Sequence, residues 1–291
     1  MKRKLSGASR LLENHFFLLF SVYAVSFFLC FFLSWIKAKN EVRADVFLFA
    51  LPLIAMYLPF LFFSHSEEGR KLSVGLRAIP GEYAVDMLLL MASSFALGTG
   101  GALLYQKLSL PLLWNGMAVP TEFSLLSLVA VVVFGAFFEE ILVRGAMQGH
   151  LASAGAACAV SLSACFSAAL CFSAFSLPFF LILGALCAFS RHRTGSVFGA
   201  FGVSAFARLG FYLVNCGAWK RVVERVGGRL SVLLMLGLSF LLLCSVFFLK
   251  HQRQGVSQLT FVGRKGGAVL WLLALLFVGL SVGGAFLLPI M

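Results

Sequence analysis

Glu139, Glu140 and Arg144 lie within six positions near the end of a long apolar run, in the stretch Phe134-Gly-Ala-Phe-Phe-Glu-Glu-Ile-Leu-Val-Arg-Gly-Ala-Met-Gln-Gly-His150. An ionisable side chain inside a membrane-spanning helix costs roughly 2.5–3.5 kcal/mol on insertion scales, so such residues usually face the protein interior and usually serve a function. On a helix Glu140 and Arg144 stand one turn apart and can pair, whereas Glu139 points about 100° away around the axis. That leaves Glu139 as the free carboxylate. The chemistry open to it is acceptance of a proton from water, or of a charge from another helix.

The elements that hold these residues follow from composition. With 291 residues, 61% of them hydrophobic and 12% charged, the chain has too little polar surface to cover a soluble globule. Its mean hydropathy of +0.99 agrees. The fold class expected is all-α, a polytopic membrane bundle of about eight to nine transmembrane helices. The net charge of +12 is concentrated between the apolar runs, where the positive-inside rule and anionic headgroups account for it. Membrane lipids are therefore the expected partners, and nucleic acid is not, because no soluble domain carries the basic residues.

Seven cysteines lie in or beside apolar runs with no C-x-x-C spacing, which marks them as small packing residues. Met1-Lys-Arg-Lys precedes an apolar stretch that continues to Trp35 without a small-residue cleavage site, so the N-terminus reads as a retained anchor. Three segments follow: N-terminal anchor spans in 1–83, a core in 84–218 and C-terminal spans in 219–291. The first segment holds spans at about 16–36 and 46–64, the second with Pro52 and Pro59, which neighbouring helices make tolerable. The last holds spans at about 230–249 and 267–290.

Within the core, a span over about 84–105 starts at Asp86, read as a solvated or capping acid, and ends in Gly98-Thr-Gly-Gly-Ala102, whose small residues let helices approach closely. Trp114 in the following loop suits an interfacial aromatic belt. The helix that delivers the two glutamates starts near Thr121 or Glu122. Leu151 to Ser190 is long enough for two spans, split near Ser176 to Pro178. Arg191-His-Arg193 forms a basic turn, and the span over about 196–218 carries a second buried charge, Arg208, near its middle. The basic residues from Lys220 to Arg229 fall outside on a strict span count, against the positive-inside rule, so either that loop is an exception or one tract is re-entrant.

The Glu-Glu-x-x-x-Arg pattern at 139–144, in a chain of this kind, resembles the first motif of the CPBP family, which comprises membrane-embedded CAAX prenyl endopeptidases and bacteriocin-processing or immunity proteins. The resemblance implies a catalytic motif of Glu139, Glu140 and Arg144, in which the first glutamate and histidines from two later spans activate water to cut a peptide bond. The family's second motif, Phe-x-x-x-His, is matched by Phe172-Ser-Ala-Phe-Ser176, with Ser176 in the histidine position. The third, His-x-x-x-Asn after a phrase like Arg-Thr-Gly-Ser, is matched from Arg193 onward, with Ser204 and Arg208 in the histidine and asparagine positions. Val74-Gly-Leu-Arg77 is similar to a phrase that precedes the core spans in many members.

The likeness covers about residues 70–215. Serine cannot replace imidazole as a charged polariser near neutral pH, and Arg208 sets a fixed cation where a neutral amide belongs. Arg208 could instead pair with Glu139, and a carboxylate tied to a guanidinium is a poor proton acceptor. The remaining histidines offer no obvious substitute. His150 stands about 16 Å along the helix axis from Glu139, and His15, His65, His192 and His251 flank spans. The resemblance implies no cofactor, with metal assistance left open. It implies a membrane-tethered peptide or protein as substrate, prenylated or bacteriocin-like, and a place in the bacterial cytoplasmic membrane.

Three readings follow: an intramembrane endopeptidase with an altered polar set, a pseudoprotease scaffold or immunity factor of the same fold, and a small transporter using Glu139, Glu140, Arg144 and Arg208 as a charged site. The last expects an internal repeat in hydropathy, and none is seen. Against all three stand plainer roles: a structural ion network for the motif acids, snorkelling for Arg208, and helix packing for Ser176 and Ser204.

Overall fold

The computed structural model describes residues 20–37, 44–66, 74–110, 113–114, 117–118, 120–152, 155–253, 275–280 and 282. These residues form an all-α bundle, interrupted only by a two-residue antiparallel pairing of β1 (Leu113–Trp114) with β2 (Met117–Ala118). Six helices among the described residues are long and apolar enough to cross a membrane. The protein is a multi-pass membrane protein.

Helix α1 spans Phe20–Lys37. Helix α2 runs from Ala44–Leu51 through a π-helical stretch, Pro52–Tyr57, into Leu58–His65. Helix α3, Ala84–Lys107, packs most extensively against α7 (Val197–Asn215) and α9 (Gly228–Arg253). Its small-residue run makes this contact close, because Gly98 brings the α3 backbone against the carbonyl of Ala207 on α7. Gly98→Ala places a methyl group against rigid backbone. We expect it to cost about 1–3 kcal/mol, read as a lowered unfolding midpoint in detergent.

Helix α4 carries the two glutamates. It starts at Leu125, where Ser124 rather than Thr121 or Glu122 is the cap: the Ser127 N–H donates to the Ser124 hydroxyl. Extended backbone at Ser124 sets this start, and the Tyr212 hydroxyl of α7 holds it by accepting the Ser124 N–H at 3.0 Å. The helix then continues through a π stretch at Val129–Gly135, a short α segment Ala136–Glu140, a second π stretch at Ile141–Gln148 and a last turn, Gly149–Leu151. Such widened turns are uncommon and often mark functional sites.

The tract expected to give two spans is split earlier than Ser176–Pro178. Helix α5, Ala156–Ala169, has 14 residues, about 21 Å of rise, well short of the ~30 Å hydrocarbon core. The chain then turns at Phe172, a buried residue with φ 48° whose ring packs 4.8 Å from Phe27 and 5.8 Å from Phe31 of α1. A side chain in the left-handed region costs roughly 1–2 kcal/mol, which this aromatic packing offsets. Pro178 does not break a helix. It lies in the first turn of α6 (Leu177–Thr194), where its missing N–H is harmless.

Arg191, His192 and Arg193 form the last turn of α6, not a loop, and the chain reverses at Gly195 (φ 66°) before Ser196 caps α7. Asp86 is neither solvated nor a cap. It is 1% exposed and meets Arg193 at 2.5 Å, a partner too distant in sequence for local patterning to indicate. After α7, Lys220, Arg221 and Arg225 belong to a short exposed helix, α8 (Lys220–Val226), and Arg229 lies in the first turn of α9. None of the seven cysteines forms a disulfide. The basic residues before Leu11, His15 and most of the expected last span lie outside the described residues.

Candidate functional site

Glu139 lies on the segment between the two π stretches of α4 and is buried. Its two carboxylate oxygens face different helices. The Ser167 hydroxyl of α5 donates to Oε1 at 2.6 Å, and Nη2 of Arg208 on α7 donates to Oε2 at 2.5 Å. Arg208 is held on its other sides as well. Its Nη1 donates to the carbonyl of Val131, inside the first π stretch, at 3.2 Å, and its guanidinium carbon stands 4.4 Å from the centre of the Trp114 ring. Gly135 leaves the room for this, since a Cβ there would lie 2.5 Å from Nη1.

Trp114 is thus not a residue of an interfacial belt. It is buried, with its ring edge-on to Phe180, Phe211 and Phe179, so the β1–β2 hairpin folds back into the bundle and covers the Arg208 guanidinium. A cation over an indole face is worth up to about 2 kcal/mol when desolvated. We expect Trp114→Leu to lose about 1–2 kcal/mol of stability and Trp114→Phe to lose less, both read by chemical denaturation in detergent.

Glu140 and Arg144 pair along α4, with Nε 3.3 Å from Oε2. Arg144 is fully buried, and its Nη2 donates to the carbonyl of Gly184 on α6 at 2.7 Å. One turn further, the Gln148 amide donates to the carbonyl of Ala188 at 2.8 Å. The matched spacing of four on both helices shows that α4 and α6 run parallel here, tied by polar side chains to backbone carbonyls. A side chain at Gly184 would meet Ala164 and Arg144 at 3.1 and 3.2 Å, so this glycine permits the approach.

The other expected site residues are placed differently. Ser204 is buried on α7 one turn before Arg208, and Ser176 caps α6 with its hydroxyl buried and without a hydrogen-bond partner. Phe172 forms the reversal before α6. Among the described residues neither serine shares a hydrogen bond or ion pair with Glu139. His65, His150 and His192 stand in the last turns of α2, α4 and α6. No group of three His, Cys, Asp or Glu side chains among the described residues is arranged to hold a metal.

Ser167 and Trp114, both in contact with the Glu139–Arg208 pair, were not foreseen as site residues. Ser167 is one of several serines in an Ala- and Ser-rich tract, and nothing local distinguishes it. Val74-Gly-Leu-Arg77 braces the far end of the core: the Val197 N–H donates to the Gly75 carbonyl at 3.0 Å, Arg77 Nε donates to the Gly195 carbonyl at 3.2 Å, and the Ser196 hydroxyl donates to the Arg77 carbonyl.

The site is thus a buried glutamate where α4, α5 and α7 of a helical membrane bundle meet. Residues 121–209, from the start of α4 into α7, match the family model described as type II CAAX prenyl endopeptidase Rce1-like. This segment is therefore similar to the CAAX prenyl endopeptidase family, and the chain is a membrane protein with a CAAX-protease-like segment. Searches of curated proteins and of solved structures return no match.

Proposed function

We propose that the protein uses this fold to bind membrane-tethered peptides or proteins without cutting them, as a scaffold or immunity factor. The occupancy of Glu139 carries the reading. A general base must reach the attacking water and hold the proton it takes from it. Here one oxygen already accepts the Ser167 hydroxyl and the other the Arg208 guanidinium, a group that stays charged at any physiological pH. Each oxygen keeps a further lone-pair site, but a proton taken from water would neutralise Glu139 and leave Arg208 a buried cation without its counter-ion. The two positions where the family resemblance asks for imidazole hold Ser176 and Ser204, which supply neither a cation nor a proton relay near neutral pH. Prenylated or bacteriocin-type peptides are the ligands this reading expects, the bacterial cytoplasmic membrane is the site, and neither a cofactor nor nucleic acid has a part in it.

The test is cleavage of a panel of membrane-tethered and prenylated peptides by the purified protein in lipid, beside Glu139→Gln. We expect no cleavage by either protein, with peptide binding retained by both. Cleavage by the wild type that Glu139→Gln abolishes would establish an endopeptidase and overturn the proposal.

A further inference from the structure

One end of the bundle carries a cleft of about 350 Å³ that no part of the Glu139 site uses. It is formed where α4 and α6 end and where α5 and α7 begin, so it lies at the limit of the membrane-spanning segments. Its walls include the small residues Ala152, Ala156 and Ala159, with Gln148 and His192 beside its two charged groups, Arg77 and Arg191. The volume falls at the lower end of the range of small-molecule sites, about 300–1,000 Å³.

The two arginines are fixed in place by backbone. Arg77 donates from Nε to the Gly195 carbonyl at 3.2 Å, and Arg191 donates from Nη2 to the Val74 carbonyl at 3.5 Å. Each guanidinium lies against a glycine with positive φ: a side chain at Gly75 would run into Arg191, and one at Gly195 into Arg77. Among the described residues neither is paired with a carboxylate. The nearby Arg193 already has one in Asp86. Burial, and then the charge of Arg77, both disfavour the Arg191 cation, as expected of like charges left side by side without an anion. The Arg191 Nε is buried without a hydrogen-bond partner.

We infer that this cleft binds a phosphate group through Arg77 and Arg191. Two guanidinium forks meeting at one cleft match the several oxygens of a phosphate better than the single edge of a carboxylate. The cleft's position at the end of the spans is where the phosphates of lipid headgroups lie. Occupancy relieves the repulsion between the two arginines and gives the buried nitrogen a water-bridged or direct acceptor.

The experiment uses the purified full-length protein in micelles, equilibrated with phosphatidylglycerol and phosphatidylcholine of matched chains, with retained lipid counted by native mass spectrometry. Inorganic phosphate alone is titrated in parallel against the unfolding midpoint. We expect roughly tenfold preference for phosphatidylglycerol, lost in R77Q/R191Q, reduced but not abolished in R77K/R191K and unchanged in K220Q/R221Q on α8. Stabilisation by inorganic phosphate that needs both arginines, without a lipid preference, supports the same site filled from water. Because Arg77 and Arg191 also brace backbone, the wild-type comparison stands apart from any folding defect of the variants. Equal retention of the two lipids by the wild type together with no effect of phosphate overturns the inference, and so does a preference that survives R77Q/R191Q.

Discussion

Replacing Arg208 with methionine should cost about 3–5 kcal/mol of unfolding free energy in detergent, the largest effect expected of any single substitution in the protein. The side chain that remains keeps most of the volume, so the loss reports charge. Glu139 would be left buried with only the Ser167 hydroxyl to satisfy it. Arg208→Lys should fall between, since an ammonium keeps the charge but cannot reach Glu139 and the Val131 carbonyl together with a planar fork. The double substitution Glu139→Gln/Arg208→Met should recover much of the loss, because a neutral amide beside a thioether leaves no uncompensated ion. A double variant as unstable as the sum of its singles would show that the two residues are not coupled.

Arg144→Met is expected to cost nearly as much, about 3–5 kcal/mol, for a related reason. Arg144 is fully buried, balances Glu140 within α4 and donates to the Gly184 carbonyl of α6. Losing it leaves a carboxylate without its paired cation and removes the side-chain donor that ties the Gly184 carbonyl of α6 to α4. Glu140→Gln/Arg144→Met removes the first penalty and not the second, so it should regain only part of the stability. The comparison, made by steric trapping or by chemical denaturation, separates the ion pair from the tie between α4 and α6.

Much of this site was legible in the chain itself. Glu139, Glu140 and Arg144 stood out because charges in an apolar run are costly, and the one-turn spacing of Glu140 and Arg144 pointed to the pair that forms. Arg208 stood out for the same reason. What hydropathy could not indicate was where an apolar tract reverses. The turn before α6 is made by Phe172, with no glycine there to signal it, so α5 looked like a full span when it is a 14-residue buried helix. Nor could local pattern reveal partners far away in sequence. Asp86 looked like a boundary acid because Arg193 lies beyond any window of inspection, and Trp114 looked interfacial because its contacts are with Phe179, Phe180, Phe211 and Arg208. Ser167 is invisible for the plainest reason: a hydroxyl in an Ala and Ser tract packs as well without a carboxylate as with one.

The separation of 69 residues between Glu139 and Arg208 also imposes an order on biogenesis. At ~5–20 residues per second of synthesis, the guanidinium emerges roughly 3–14 s after the carboxylate it neutralises. For that interval α4 carries two acids and a single arginine, with α7 not yet made. The bundle can close around Glu139 only when α7 arrives. A nascent chain halted before Arg208 would therefore expose an uncompensated acid in the bilayer, the kind of signal by which membrane quality control could tell an unfinished copy from a complete one.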